Sequence, residues 1–218
     1  MFWEVLDERR NTLLKKIVKN MPVKNSYLAG GTAIALQLGH RISYDFDWLS
    51  PEIFDPEKVS AELKVIGALK NVSISRGTFH GTLDDIRVTW LHYSNPLLKP
   101  LVESPELPGL KIASLEDLGL MKIVAISSRG AKRDFYDLYQ ICKFKLDLKD
   151  LIKIMPQKYP YSEVNLYHLI KSLTYFDDAE HDPTPDGIEN ISWPKVKEFF
   201  TTHQPYLLEL IKNQEFRD

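Results

Sequence analysis

Asp45 and Asp47 flank Phe46 in a stretch where Tyr44, Phe46 and Trp48 alternate with acids. Period two marks a strand with two unlike faces, and the spacing predicts one over 43–49. The two carboxylates then project from one face, roughly 7 Å apart along the backbone. Like charges on one face repel. A divalent cation resolves that repulsion: Mg²⁺ prefers carboxylate oxygens and keeps waters or substrate phosphates as its other ligands. Upstream, Gly30-Gly31 ends the apolar run Tyr27-Leu28-Ala29, and helix formers follow from Thr32 to Leu38. A Gly-Gly turn lets backbone approach a ligand closely. The helix start behind it offers N–H groups and a positive dipole end suited to phosphate. Thr32 reads as the N-cap and as a further hydroxyl for the ligand. A phosphate cradle followed by a two-carboxylate metal site is what metal-dependent phosphoryl or nucleotidyl transfer needs. Gly-Gly or Asp-x-Asp alone is common in turns and exposed strands; the order of the two carries the reading.

These residues need elements to hold them. Val5, Leu6, Leu13, Leu14 and Ile17 recur at helical spacing and predict a helix over 2–20, ended by Pro22. Tyr27–Ala29 reads as a strand, 32–38 as a helix closed by Gly39, and 56–69 as a helix with Val59, Leu63, Ile66 and Leu69 on one side. Val72–Ser75 and Ile86–Tyr93 read as strands, with Asp84-Asp85 as a hairpin turn before the second. Pro96, Pro100, Pro105 and Pro108 crowd the segment that reads as the domain boundary. Beyond it helices are predicted at 114–128, 132–143, 147–155, 162–173 and 193–212, with a loop at 177–190. The expected organisation is an α/β domain over 1–112 and a helical domain over 113–218.

Several residues of the second half carry charge in apolar surroundings. Lys122 lies among Leu118, Met121, Val124 and Ala125, and either turns into a cleft or snorkels outward. Asp134 and Asp137 share a helix face; a salt-bridge network with neighbouring Lys132 and Arg133 competes with a place bordering a cleft. Arg129, Lys132 and Arg133 form a basic cluster that either meets phosphate or caps a helix. Arg41 either pairs with a phosphate or an acid of the pair, or complements the helix dipole. The lone cysteine, Cys142, sits in an apolar helical context as a structural thiol. The histidines show no metal-ligand spacing and receive no role.

Two segments together resemble the AbiEii/AbiGii toxin family of nucleotidyltransferases, within the DNA polymerase beta-like nucleotidyltransferase superfamily. The first runs from Leu28 through Gly30-Gly31-Thr32 to Asp45-Phe46-Asp47. The second runs from Met121-Lys122 through Arg129 to Lys132-Arg133-Asp134-Phe135-Tyr136-Asp137-Leu138-Tyr139. The resemblance implies an α+β fold: a polymerase-beta-like domain, a mixed sheet with helices, followed by a helical bundle. It implies that Gly30, Gly31 and Thr32 hold an NTP, joined by Arg41, that Asp45 and Asp47 bind Mg²⁺, that Lys122 faces the phosphates as a cation, and that Asp134 and Asp137 border the cleft. The implied reaction transfers an NMP to an acceptor hydroxyl, with RNA as an acceptor class and an antitoxin protein as a partner. The superfamily usually carries a third carboxylate on a later strand. Thr89, in Ile86-Arg87-Val88-Thr89-Trp90-Leu91, stands in its place, and threonine neither carries the charge nor acts as a base at neutral pH. The alternative is therefore a catalytically weak protein of the same fold that binds nucleotide or a partner.

Composition limits the field. The 218 residues are 44% hydrophobic and 27% charged, with a net charge of −2. There is no global basic field for nucleic acid, so any RNA contact falls to a local patch. One cysteine excludes an internal disulfide framework, which suits a reducing, cytoplasmic setting. No signal-peptide pattern and no apolar run of about 20 residues is present, so no membrane contact is expected.

Overall fold

Asp7 splits the predicted first helix in two. Its side chain accepts the Arg10 N–H at 2.8 Å, so a 3₁₀ turn, Trp3–Val5, precedes α1, Glu8–Lys19. Val5, Leu6, Leu13, Leu14 and Ile17 are all buried, as the spacing predicts. The structure, a computed structural model, describes residues 1–162, 164–188 and 190–213. Residues 163 and 189, inside the predicted helix 162–173 and loop 177–190, lie outside the described residues. The chain divides into two units, Met1–Ser114 and Leu115–Asp218.

Seven strands organise the first unit: β1 Tyr27–Ala29, β2 Phe46–Ser50, β3 Leu69–Ser75, β4 Thr78–Leu83, β5 Ile86–His92, β6 Val102–Ser104 and β7 Leu107–Ile112. They form one mixed sheet in the order β3-β4-β5-β2-β1-β7-β6. The β2–β5 and β1–β7 pairs are parallel; the other neighbours run antiparallel. Asp84 and Asp85 both take positive φ, 48° and 60°, as the two-residue β4–β5 hairpin turn requires. The proline-rich segment, read from sequence as a boundary, instead supplies the β6–β7 hairpin. Pro108 lies at the opposite end of β7 from the Leu28–Ile112 pair that joins it to β1, where a missing N–H is tolerated.

One aromatic row fixes the centre of the sheet. Trp48, Trp90 and Phe79 are register partners on β2, β5 and β4, and all three are fully buried. The two indoles stack with centroids 5.7 Å apart, and Phe79 meets Trp90 edge-on at 6.2 Å. A one-residue slip would turn all three out of the core, so this register is strongly specified. α2, Gly30–Leu38, packs on β1 and β2. α3, Pro56–Ile66, is capped by Asp55, packs on β3 and β4, and stops before Leu69, which opens β3 rather than ending a helix.

The second unit is helical: α4 Leu115–Arg129, α5 Lys132–Phe144, α6 Leu148–Lys158, α7 Leu166–Ser172, α8 Asp177–Glu180 and α9 Trp193–Lys212. α6 continues through Pro156 to Lys158, past its predicted end, and α8 occupies part of the predicted loop. α4 packs against α5, α6 and α7. Phe135 is central to an aromatic cluster with Phe176, Trp193 and Phe200. Lys158 Nζ lies 2.6 Å from Asp117 Oδ1, with neither side chain exposed. The fold is α+β, a mixed sheet with helices followed by a helical bundle. Among the described residues no helix is long and apolar enough to cross a membrane.

Candidate functional site

β1 ends at Ala29 and α2 begins at Gly30, so strand passes into helix without a loop. Gly30 has φ +65°, the left-handed region. A Cβ there would collide with Asp47 Oδ2 and lie 3.2 Å from Asp47 Cβ. Only glycine suits both the conformation and the space. Asp47 reaches this place because Ala29 and Asp47 are register partners of antiparallel β1 and β2. The glycine turn and the second acid of the pair, distant in sequence, are therefore in contact. Gly31 follows in the first turn of α2, and no side chain caps that helix.

Thr32 is not the N-cap; Ala29 holds that position and Thr32 lies inside α2. Gly39 ends the helix in the left-handed conformation, and the returning chain crosses Thr32. The Thr32 hydroxyl bonds the Asp45 carbonyl and lies 2.7 Å from Ser43 Oγ. It is buried and ties the segment before β2 to the glycine turn, rather than presenting itself to a ligand. Arg41 is buried too, donating from its guanidinium to the Ile42 carbonyl at 2.9 Å.

Asp45 precedes β2 instead of lying within it. Arg87 NH1 lies 3.8 Å from Asp45 Oδ2, with the two side chains 69% and 32% exposed. An ion pair so open contributes little to stability. Arg87 is two residues before Thr89 on β5, hence on one face with it. Thr89 is the parallel register partner of Asp47, so both acids border the same face. Thr89 in turn pairs with His80 on β4, and its Oγ1 lies 3.1 Å from His80 Nδ1. Asp47, Thr89 and His80 thus form a polar row, alternating along each strand with Trp48, Trp90 and Phe79. Sequence spacing gave His80 no role because its partner comes from a neighbouring strand; the alternation of His80 and Phe79 in β4 was the available signal.

The helical unit holds a second charged centre. Lys122 on α4 is buried, its Nζ 2.7 Å from Asp134 Oδ1 and 2.6 Å from Asp137 Oδ2. Asp134 and Asp137 lie one turn apart on α5 and are fully buried. Arg129 completes the group bidentately, with Nε 2.7 Å from Asp134 Oδ2 and NH2 2.9 Å from Oδ1. Burial opposes ionisation of Asp134, but Lys122 and Arg129 outweigh it and hold the carboxyl below its ordinary range. Lys132 and Arg133 are not the partners their proximity suggests. Lys132 bonds the Glu180 and Asp182 carbonyls, and Arg133 is exposed. Burial, with Asp147 second, pushes the Cys142 thiol far up, leaving no thiolate nucleophile at neutral pH.

Comparison with known proteins gives this geometry a family. The profile described as "Nucleotidyl transferase AbiEii toxin, Type IV TA system" matches residues 82–210. That range includes Lys122, Asp134 and Asp137, while the glycine turn and acidic pair precede it. An uncharacterized protein of Aquifex aeolicus (strain VF5) is 37% identical over 198 residues, 89% of this chain and 94% of the relative. The structure is similar to MenT4, a nucleotidyltransferase toxin from Mycobacterium tuberculosis H37Rv: TM-score 0.61, 17% identity, covering 95% of this chain and 85% of that one. A protein of H. pylori, provisionally described as a nucleotidyltransferase, aligns at TM-score 0.56 and 20% identity over 93% of this chain and 96% of its own. These two likenesses establish the polymerase-beta-like nucleotidyltransferase fold. The chain belongs to the AbiEii nucleotidyltransferase toxin family.

Proposed function

We propose that this chain transfers a nucleoside monophosphate from an NTP to an acceptor hydroxyl on RNA, with Mg²⁺ held by Asp45 and Asp47, as the cytoplasmic toxin of a toxin–antitoxin pair. The observation that carries the reading is the contact between Gly30 and Asp47, where any side chain on the glycine would occupy the space beside the carboxylate. Among the described residues no group of three or more His, Cys, Asp or Glu is placed to enclose a metal. A donor set of two carboxylates instead suits Mg²⁺, which completes its shell with waters and substrate phosphates. When bound, the ion would screen the triphosphate and polarise the phosphate under attack.

The chain's own residues supply the rest. Backbone N–H groups of the first turn of α2 donate to phosphate oxygens, and Gly31 leaves that approach unobstructed. Thr32 holds Asp45 at the edge of β2 through the Asp45 carbonyl. For Lys122 the proposal is a phosphate-facing ammonium that Asp134 and Asp137 hold in place.

A second reading, nucleotide binding with little turnover, is favoured by Thr89 standing in register beside Asp47. One experiment separates the two. Purified protein is incubated with labelled NTPs, Mg²⁺ and total RNA beside Asp45→Ala and Asp47→Asn. Label transfer lost in both variants supports the enzyme. Nucleotide-dependent thermal stabilisation without transfer selects the binding protein. Absence of both signals removes the site altogether.

A further inference from the structure

The register of β2, β5 and β4 places His80 in the same row as Asp47, one strand beyond Thr89. His80 is exposed, while Thr89 is buried. The 3.1 Å separation of His80 Nδ1 and Thr89 Oγ1 is a hydrogen bond whose direction depends on the ring's tautomer. With the hydrogen on Nδ1, that nitrogen donates to Thr89 and Nε2 keeps a lone pair. Threonine cannot accept a proton from a substrate hydroxyl at neutral pH; imidazole can. The row is held in place by the buried aromatic partners Trp48, Trp90 and Phe79 on the same three strands.

We propose that His80 is the general base for the acceptor hydroxyl, and that Thr89 is a positioning residue whose hydroxyl accepts the Nδ1–H. The role rests on the nucleotidyl-transfer reading. In the step, the acceptor O–H gives its proton to His80 Nε2. The oxygen forms a bond to the α-phosphorus, the bond between that phosphorus and the bridging oxygen breaks, and pyrophosphate leaves with the electron pair. The imidazolium then returns its proton to water. This chain thereby places a base one strand beyond Thr89, the register partner of Asp47.

The test has two arms. Long-range ¹H–¹⁵N spectra of the nucleotide-free protein read the tautomer directly. Wild type should show His80 protonated at Nδ1, and Thr89→Val should lose that preference; an Nε2–H tautomer in wild type overturns the assignment. In transfer assays His80→Ala should lower kcat about 10²- to 10³-fold with the nucleotide KM unchanged. Added imidazole should restore part of the loss. Because His80 is exposed, truncation should leave the melting curve intact. A His80→Ala protein that transfers at the wild-type rate, or one that imidazole cannot rescue, overturns this role alone. Wild-type protein that transfers to no acceptor overturns the parent reading, and the role of His80 with it.

Discussion

Two acidic pairs, close in sequence spacing, have opposite environments. Asp134 and Asp137 are fully buried and share the Lys122 ammonium at 2.7 and 2.6 Å, with Arg129 doubly bonded to Asp134. Asp45 and Asp47 border a sheet face, and the cation near Asp45 is 3.8 Å away and mostly exposed. In the first pair, charge is neutralised within the fold. In the second, the Arg87 guanidinium meets Asp45 at the surface, where solvent screens the pair. A closed cluster holds structure and fixes a lysine; at the second pair the Asp45 carboxylate keeps about a third of its surface toward solvent. Equal numbers of acids thus predict unequal effects, on stability in one place and on ligand binding in the other.

The largest stability effect should come from Asp134→Ala. It removes one of the two buried carboxylates that share the Lys122 ammonium and the one that Arg129 grips with two bonds, and breaking such a pair costs about 3–5 kcal/mol. Urea unfolding should show it as a lowered midpoint. Gly30→Ala comes next. A left-handed φ costs a non-glycine residue about 1–2 kcal/mol, and the new Cβ must displace the Asp47 carboxylate. Calorimetry should record that loss of stability, together with loss of any nucleotide-induced rise in Tm.

Acid should act on the closed cluster in a definite direction. The Asp134 carboxyl is held below its ordinary value of 3.8, so its contribution is complete above that value and is lost as pH falls through the lower folded value. Stability measured from about pH 6 to about pH 3 should fall less steeply in Asp134→Asn than in wild type. The smallest stability effect should be that of Asp47→Asn, within about 1 kcal/mol of wild type, since asparagine keeps the side chain's shape and removes one of two neighbouring like charges. A loss as large as that of Asp134→Ala would erase the contrast between the two pairs.

What the sequence made legible was local. The glycine turn, the helix closed by Gly39 and the Asp84-Asp85 hairpin each depend on conformations that short stretches dictate. Periodicity found the buried faces of α1 and α3. What it missed depends on contacts between distant segments. The prolines before Pro108 hid the β6–β7 hairpin, since a proline in a strand is tolerated only where the ladder does not need its N–H. Spacing places Thr32 at a cap, because the chain that returns to its hydroxyl is distant in sequence. Lys132 and Arg133 adjoin Asp134 in the chain, yet its cations are Lys122 and Arg129, set by how α4 packs on α5. His80 is silent in the sequence for the same reason: its partner Thr89 is joined to it by strand register.

The central claim is that Asp45 and Asp47, beside the glycine turn, hold the cation and nucleotide. It is tested most directly by melting wild type and Asp47→Asn with Mg²⁺ and NTP, separately and together. Mg²⁺ and NTP together should raise the wild-type Tm, by up to about 2.7 kcal/mol of stabilisation at a hundredfold excess over Kd, while Asp47→Asn keeps its ligand-free Tm and gains nothing. An equal rise in both proteins would place the nucleotide elsewhere and contradict the account.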